Sequence, residues 1–105
     1  MNIKEIDPVT LKQWMEDGKA VLVDVREASE HIQGRIPQDH HLPLSGFNPA
    51  NLPAHDDKIV VYYCATGGRT GMYGPNLHAA TPAASAVYHL SGGISAWKNA
   101  GHGVN

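Results

Sequence analysis

The sequence predicts an α/β domain with a mainly parallel central sheet and helices on both faces. Three observations lead there. Residues 20–25 (Ala-Val-Leu-Val-Asp-Val) and 58–63 (Lys-Ile-Val-Val-Tyr-Tyr) are short, nearly continuous runs rich in β-branched and aromatic residues. Such runs suit strands buried on both faces. Stretches of helical pattern alternate with them, the order expected of parallel strands joined by crossover helices. The chain has 105 residues, 42% apolar and 17% charged. That is enough for one packed core and too apolar for disorder, so residues 1–105 are expected to form one domain.

The elements follow in order. Asp7 can cap a helix whose first turn accepts Pro8, and Leu11, Trp14 and Met15 fall on one face of it. Gly18 ends that helix, because glycine tolerates a left-handed cap. After the 20–25 strand, residues 28–33 read as a short helix closed by Gly34. Residues 41–44 suggest a brief strand, and 47–52 carry only a weak helical pattern. The 58–63 strand runs straight into Cys64-Ala65-Thr66-Gly67-Gly68-Arg69-Thr70. Residues 86–90 form a third strand, Ser91-Gly92-Gly93 a turn, and residues 94–98 a closing helix.

Charge and composition exclude several function classes. The formal net charge is −2, and no cluster of Lys and Arg offers a nucleic-acid or anionic-membrane surface. No apolar run approaches the ~20 residues of a membrane span. Residues 1–5 lack the apolar stretch of a signal peptide. The single cysteine cannot form an internal disulfide, so a reducing, cytoplasmic setting is expected.

The chemistry is expected at Cys64. Ligands bind beyond the carboxyl ends of strands in such sheets, and Cys64 sits at that end of the second strand. Gly67 and Gly68 let the loop turn successive N–H groups inward as an anion-binding nest. A following helix would add its positive end. Free cysteine titrates near ~8.5, and comparable surroundings lower it to roughly 3.5–7.5. The thiolate is then expected at neutral pH without a histidine base beside it. A buried, inert thiol is the rival reading. It fits poorly with a cysteine that ends a strand and leads into small residues and a cation.

Four segments, in order, resemble the rhodanese-homology family over nearly the whole length. They are Val21-Leu22-Val23-Asp24-Val25-Arg26, Glu30-His31-Ile32-Gln33-Gly34-Arg35-Ile36-Pro37, the Cys64 to Thr70 loop, and the stretch from Leu90-Ser91-Gly92-Gly93 through Trp97 to Gly101. The resemblance implies a rhodanese-like three-layer fold and a sulfurtransferase needing no cofactor. Cys64 would be the nucleophile that takes sulfur from a small anionic donor such as thiosulfate. Its persulfide would pass sulfur to cyanide, a thiol or a protein acceptor, in two covalent steps. The amides of Ala65, Thr66, Gly67, Gly68 and Arg69 would hold the persulfide, Thr70 would complete the loop, and the Arg69 guanidinium would meet the anionic donor. Asp24 and Arg26 would form either an ion-pair network beneath the loop or a solvated pair at a strand end.

Other residues have plainer readings. Gly92-Gly93 is read as an ordinary turn in preference to one that passes close to the active loop, and Trp97 as core in preference to a substrate contact. His40 and His41 lack metal-ligand spacing and are expected in solvent, so no metal site is assigned. Three places depart from the family pattern. Arg35 stands where histidine is usual, and Gln38-Asp39 where glycine-alanine is common. Gly71-Met72-Tyr73-Gly74-Pro75 falls where the family has a helix. Two interior glycines cost about 1 kcal/mol each and an interior proline about 3, so that helix is expected to kink at Pro75 or begin there. Cysteine phosphatases, the rival enzyme class, use Cys-x5-Arg. The loop here is Cys-x4-Arg, a smaller ring that suits one sulfur atom better than phosphate. A sulfur relay without turnover, or a binding module, is the other alternative.

Overall fold

Five strands form one sheet in the order β1-β5-β4-β2-β3, and every pairing is parallel. The computed structural model describes residues 3–105. The strands are β1 (Lys4–Ile6), β2 (Ala20–Asp24), β3 (His40–His41), β4 (Ile59–Tyr63) and β5 (Ala86–Leu90). The helices are α1 (Pro8–Glu16), α2 (Ala28–Gln33), α3 (Gly68–Met72), α4 (Gly74–Ala79) and α5 (Gly93–Asn99). The predicted α/β class holds, and the sheet is wholly parallel.

Alternation along each central strand divides the core into two. Val60, Tyr62 and Cys64 face one side with Val23, Val25, Val87 and Leu77. Val61 and Tyr63 face the other with Leu11 of α1, Leu22, Leu90, and Ile94 and Trp97 of α5. Helices therefore cover both faces, α1 and α5 on one and α4 on the other. Trp97 is core, as expected, and its indole N–H donates to the Gly103 carbonyl at 2.9 Å.

Pattern reading found β2, β4, β5 and α1 to within a residue or two. It missed β1, whose three residues carry no run, only a parallel register with β5 from Lys4↔Tyr88 to Ile6↔Leu90. The brief strand lies at His40–His41 and not at 41–44, and it pairs with Val23 and Asp24. Residues 44–51 hold two 3₁₀ turns, Leu44–Gly46 and Pro49–Asn51. The stretch after the loop breaks in two, as its glycines and proline foretold. α3 ends at Met72, and α4 restarts at Gly74 with Pro75 in its first turn. There proline's missing N–H costs nothing.

The family departures at Arg35 and Gln38-Asp39 explain each other. Arg35 Nη2 lies 2.6 Å from Asp39 Oδ1, an ion-pair contact rather than an aligned hydrogen bond, and donates to the Asp39 carbonyl at 3.1 Å. Asp39 Oδ2 accepts from the Tyr63 hydroxyl at 2.6 Å. Gln38 adopts a left-handed φ of 70°, which is why glycine suits that position elsewhere.

Candidate active site around Cys64

β4 carries Cys64 into the core, where the residue is 1% exposed. The loop then turns back over the sulfur. Gly67 takes a φ of 92° and caps α3, and its N–H donates to Cys64 Sγ at 3.2 Å. The Thr70 hydroxyl lies 3.6 Å from the same sulfur. Burial pushes the thiol's pKa up. The amide and hydroxyl of Thr70, with the amides of Gly67 and Arg69, outweigh burial and hold it below the usual thiol value. Of the amides expected around the sulfur, Gly67 makes the hydrogen bond to it, and those of Arg69 and Thr70 help lower its pKa. Arg69 and Thr70 lie in the first turn of the five-residue α3 and Gly67 is its N-cap, so this stabilisation comes from the free amides where the loop enters that short helix.

The loop is seated by α5. Ile94 N–H donates to the Cys64 carbonyl at 3.0 Å and Ser95 N–H to the Ala65 carbonyl at 3.1 Å. The approach needs Gly93. A Cβ there, at φ 58°, would sit 2.6 Å from Ala65 C and O and closer still to the Cys64 carbonyl oxygen. The Gly92-Gly93 segment is thus no ordinary turn but a close backbone contact with the active loop. The sequence showed two glycines and not what they would face.

Asp24 and Arg26 form a buried network, at 0% and 5% exposure. Arg26 Nε donates to Asp24 Oδ1 at 3.0 Å and Nη2 to Oδ2 at 2.8 Å. Arg26 also donates to the carbonyls of Glu30 and Gly34, which fixes α2 against the sheet. α2 in turn presents Glu30 to the loop. Arg69 Nη1 and Nη2 each donate to a Glu30 oxygen at 2.8 Å. The pair holds the Glu30 carboxyl at about 2. Arg69, expected to meet the anionic donor, is thus held at the rim of the site by Glu30. Glu30, in sequence only one letter of a motif, is a structural member of the site.

The Glu30 carboxyl is depressed on folding, so its contribution is fully present above the ordinary carboxyl range and is lost as pH falls toward 2. Both side chains are about one-third exposed, so screening leaves about 1 kcal/mol. Glu30→Gln should cost that much at neutral pH and nothing below pH ~2. Chemical denaturation of both proteins across pH checks it, and an equal cost at every pH would contradict the pairing.

His41 corrects another expectation. It is half-buried, its Nε2 lies 2.8 Å from the Arg26 carbonyl, and its ring stacks on His31 with centroids 4.1 Å apart. His40 is exposed, as expected. Asp24, His31 and His41 bring ligand atoms within 4.8 Å of one another. Asp24 is already committed to Arg26 and His31, and the buried guanidinium repels a cation. The cluster does not suit a metal.

Sequence reasoning passed over His89 altogether. It is buried on β5, and its Nδ1 lies 2.8 Å from Thr70 Oγ1. The larger hollows, such as the ≈ 440 Å³ one lined by Leu44, Phe47, Tyr73 and Leu77, have no residue of the 64–70 loop in their lining. A shallow hollow of ≈ 280 Å³ flanks it, lined in part by Glu30, Ala65, Ser95 and Lys98. No helix is long and apolar enough to cross a membrane among the described residues.

Comparison with known proteins gives the family and the fold. A sulfurtransferase of Allochromatium vinosum is 35% identical over 103 residues, covering 97% of this chain and 92% of that protein. An uncharacterized protein of Synechocystis sp. is 40% identical over 96 residues, and this chain spans about half of its length (52%). Among solved structures, a rhodanese-related protein from Thermoplasma volcanium superimposes with a TM-score of 0.81 at 25% identity, covering 97% of each chain. A thiosulfate sulfurtransferase from Pseudomonas aeruginosa shares the fold, with a TM-score of 0.84 at 22% identity over 98% of this chain and 19% of that one. The family model described as "Rhodanese-like domain" matches residues 7–100, and with a strand-end cysteine wrapped by a four-residue loop and sealed by Gly93, the chain belongs to the rhodanese-like domain family.

Proposed function

We propose that this chain is a sulfurtransferase that carries sulfane sulfur as a persulfide on Cys64. The observation that carries the reading is the sulfur itself, buried yet held below the usual thiol pKa by the Gly67, Arg69 and Thr70 donors. The Cys64 thiolate attacks the outer sulfur of a small anionic donor such as thiosulfate. A new S–S bond forms, the donor's S–S bond breaks, and its electron pair leaves with sulfite. An acceptor nucleophile (cyanide, a thiol or a protein thiol) then attacks the outer sulfur and releases the Cys64 thiolate. Splitting the transfer this way gives ping-pong kinetics. The sulfur of a residue only 1% exposed is reached by a terminal atom and not by a bulky centre.

Lys98 makes no ion pair among the described residues and lines the hollow beside the loop. It is suited to receive the donor's anionic end now that Glu30 neutralises Arg69. That neutralisation also disfavours phosphatase chemistry, where a free guanidinium would have to meet a dianion. A reducing compartment such as the cytoplasm suits the thiolate.

Intact mass after incubation with thiosulfate tests the reading. Wild type should gain one sulfur, and Cys64→Ser none. Sulfur gain with thiosulfate-to-cyanide turnover supports the enzyme, and sulfur gain without turnover with any acceptor makes the chain a relay. Failure to gain sulfur from thiosulfate and from other persulfide donors overturns the proposal, as does robust hydrolysis of an aryl phosphate.

A further inference from the structure

Alternation along β5 decides where His89 points. Val87 joins the core face that contains Cys64, while Leu90 joins the opposite face. His89, two residues from Val87, falls on the Cys64 side. α3 covers it there, so closely that a Cβ at Gly71 would stand 3.6 Å from its Cε1. Its Nδ1 meets the Thr70 hydroxyl, which in turn meets the Cys64 sulfur. A histidine thus stands one hydroxyl away from the nucleophile, behind it and out of reach of solvent.

The Thr70 hydroxyl has one hydrogen and three neighbours that could accept it. These are His89 Nδ1 at 2.8 Å, the Gly67 carbonyl at 3.3 Å and Cys64 Sγ at 3.6 Å. Left alone, the shortest contact would take it. If His89 carries its proton on Nδ1, that contact reverses. The ring then donates to Thr70 Oγ1, and the hydroxyl hydrogen is freed for the other two. Between a neutral carbonyl and a thiolate, the charge-assisted bond is the stronger. The low local dielectric of the buried site strengthens it further.

We infer that His89 is a positioning residue, which as a neutral imidazole with its proton on Nδ1 donates to Thr70 Oγ1 and thereby aims the Thr70 hydroxyl at the Cys64 sulfur. Burial favours the neutral ring and lowers its pKa. Glu5, paired in register on β1, opposes that shift. Tyr62 on β4 and Cys64 are the other titratable groups that face the ring. From α3 it meets Thr70 and Gly71, and the Arg69 guanidinium is turned away toward Glu30. The inference rests on Cys64 acting as a thiolate nucleophile, as proposed above, but its test uses no sulfur donor.

Two measurements test it. The first is iodoacetamide alkylation of Cys64 as a function of pH. His89→Leu should raise the midpoint by about one unit, a roughly tenfold slower reaction at a fixed pH below it. Thr70→Val should do the same, and the double variant should be no worse than Thr70→Val alone. His89→Asn, whose amide N–H can replace the Nδ1 donor, should restore most of the reactivity. An unchanged midpoint in folded His89→Leu, or additive shifts in the double variant, overturns the inference. The second is ¹⁵N NMR of the wild-type imidazole, which needs no variant to fold. A protonated Nδ1 and a bare Nε2 at neutral pH are expected, whereas a bare Nδ1 or an imidazolium overturns the inference. If these results hold and no donor sulfurates Cys64, the sulfur-transfer reading fails and the positioning role stands.

Discussion

Asp24→Ala should lower the unfolding free energy by roughly 3–5 kcal/mol, the cost of leaving a buried charge without its partner. Arg26 is 5% exposed and cannot recover its hydration by moving outward. Asp24 accepts from the Arg26 backbone N–H at 2.9 Å and from Arg26 Nε and Nη2, and also pairs with His31 Nδ1 at 2.8 Å. Burial alone would push the Asp24 carboxyl up, but the bonds from Arg26 and His31 hold it below its usual value. A loss of that size would take the melting temperature down by roughly 15 °C or more. Because Arg26 also ties down α2, Glu30 should lose its grip on Arg69 in the same variant. The double change Asp24→Leu/Arg26→Met removes both charges and should recover part of the stability. Thermal and urea denaturation of both variants check this. If Asp24→Ala cost under about 1 kcal/mol, as a solvated surface pair does, the network would have no structural role.

The second large effect is at Gly93, where two costs can be separated. Gly93→Ala meets both a left-handed backbone and the carbonyls of Cys64 and Ala65. Gly101 has a φ of 85°, and a Cβ added there would meet nothing within 4 Å, so Gly101→Ala isolates the backbone cost of about 1–2 kcal/mol. Gly93→Ala adds overpacking of roughly 1–3 kcal/mol. It must also push the active loop away from α5, breaking the bonds from Ile94 and Ser95 that seat it. Cys64 alkylation should therefore shift to higher pH in Gly93→Ala and stay put in Gly101→Ala. Equal destabilisation in the two variants, with no change in thiol reactivity, would mean that the contact does not hold the loop.

Much of the fold was legible because its strands are buried on both faces. Residues 20–24 and 59–63 need no tertiary context to read as strands, since few other structures accommodate such runs. β1 was not legible and β3 was only roughly placed, because three and two residues hold little pattern and exist as partners of β5 and β2. The break at Tyr73 between α3 and α4 was legible for the opposite reason. Gly71, Gly74 and Pro75 act on the backbone locally, wherever the chain goes.

For the site, the sequence by itself pointed to Cys64 and to a glycine-containing loop behind it. Cys64 at a strand end, two glycines and a four-residue span to Arg69 are local facts, and local backbone rules turn them into a cradle. Which donors reach the sulfur, what neutralises Arg69, why Gly93 must lack a side chain and where His89 points were decided only by tertiary structure. Each depends on residues from separate elements, such as Glu30 on α2 with Arg69 and His89 on β5 with Thr70. Hydrogen bonds and contacts at 2.8–3.6 Å arise from how those elements pack. Nothing in the order of residues along one segment encodes what the next layer will bring against it.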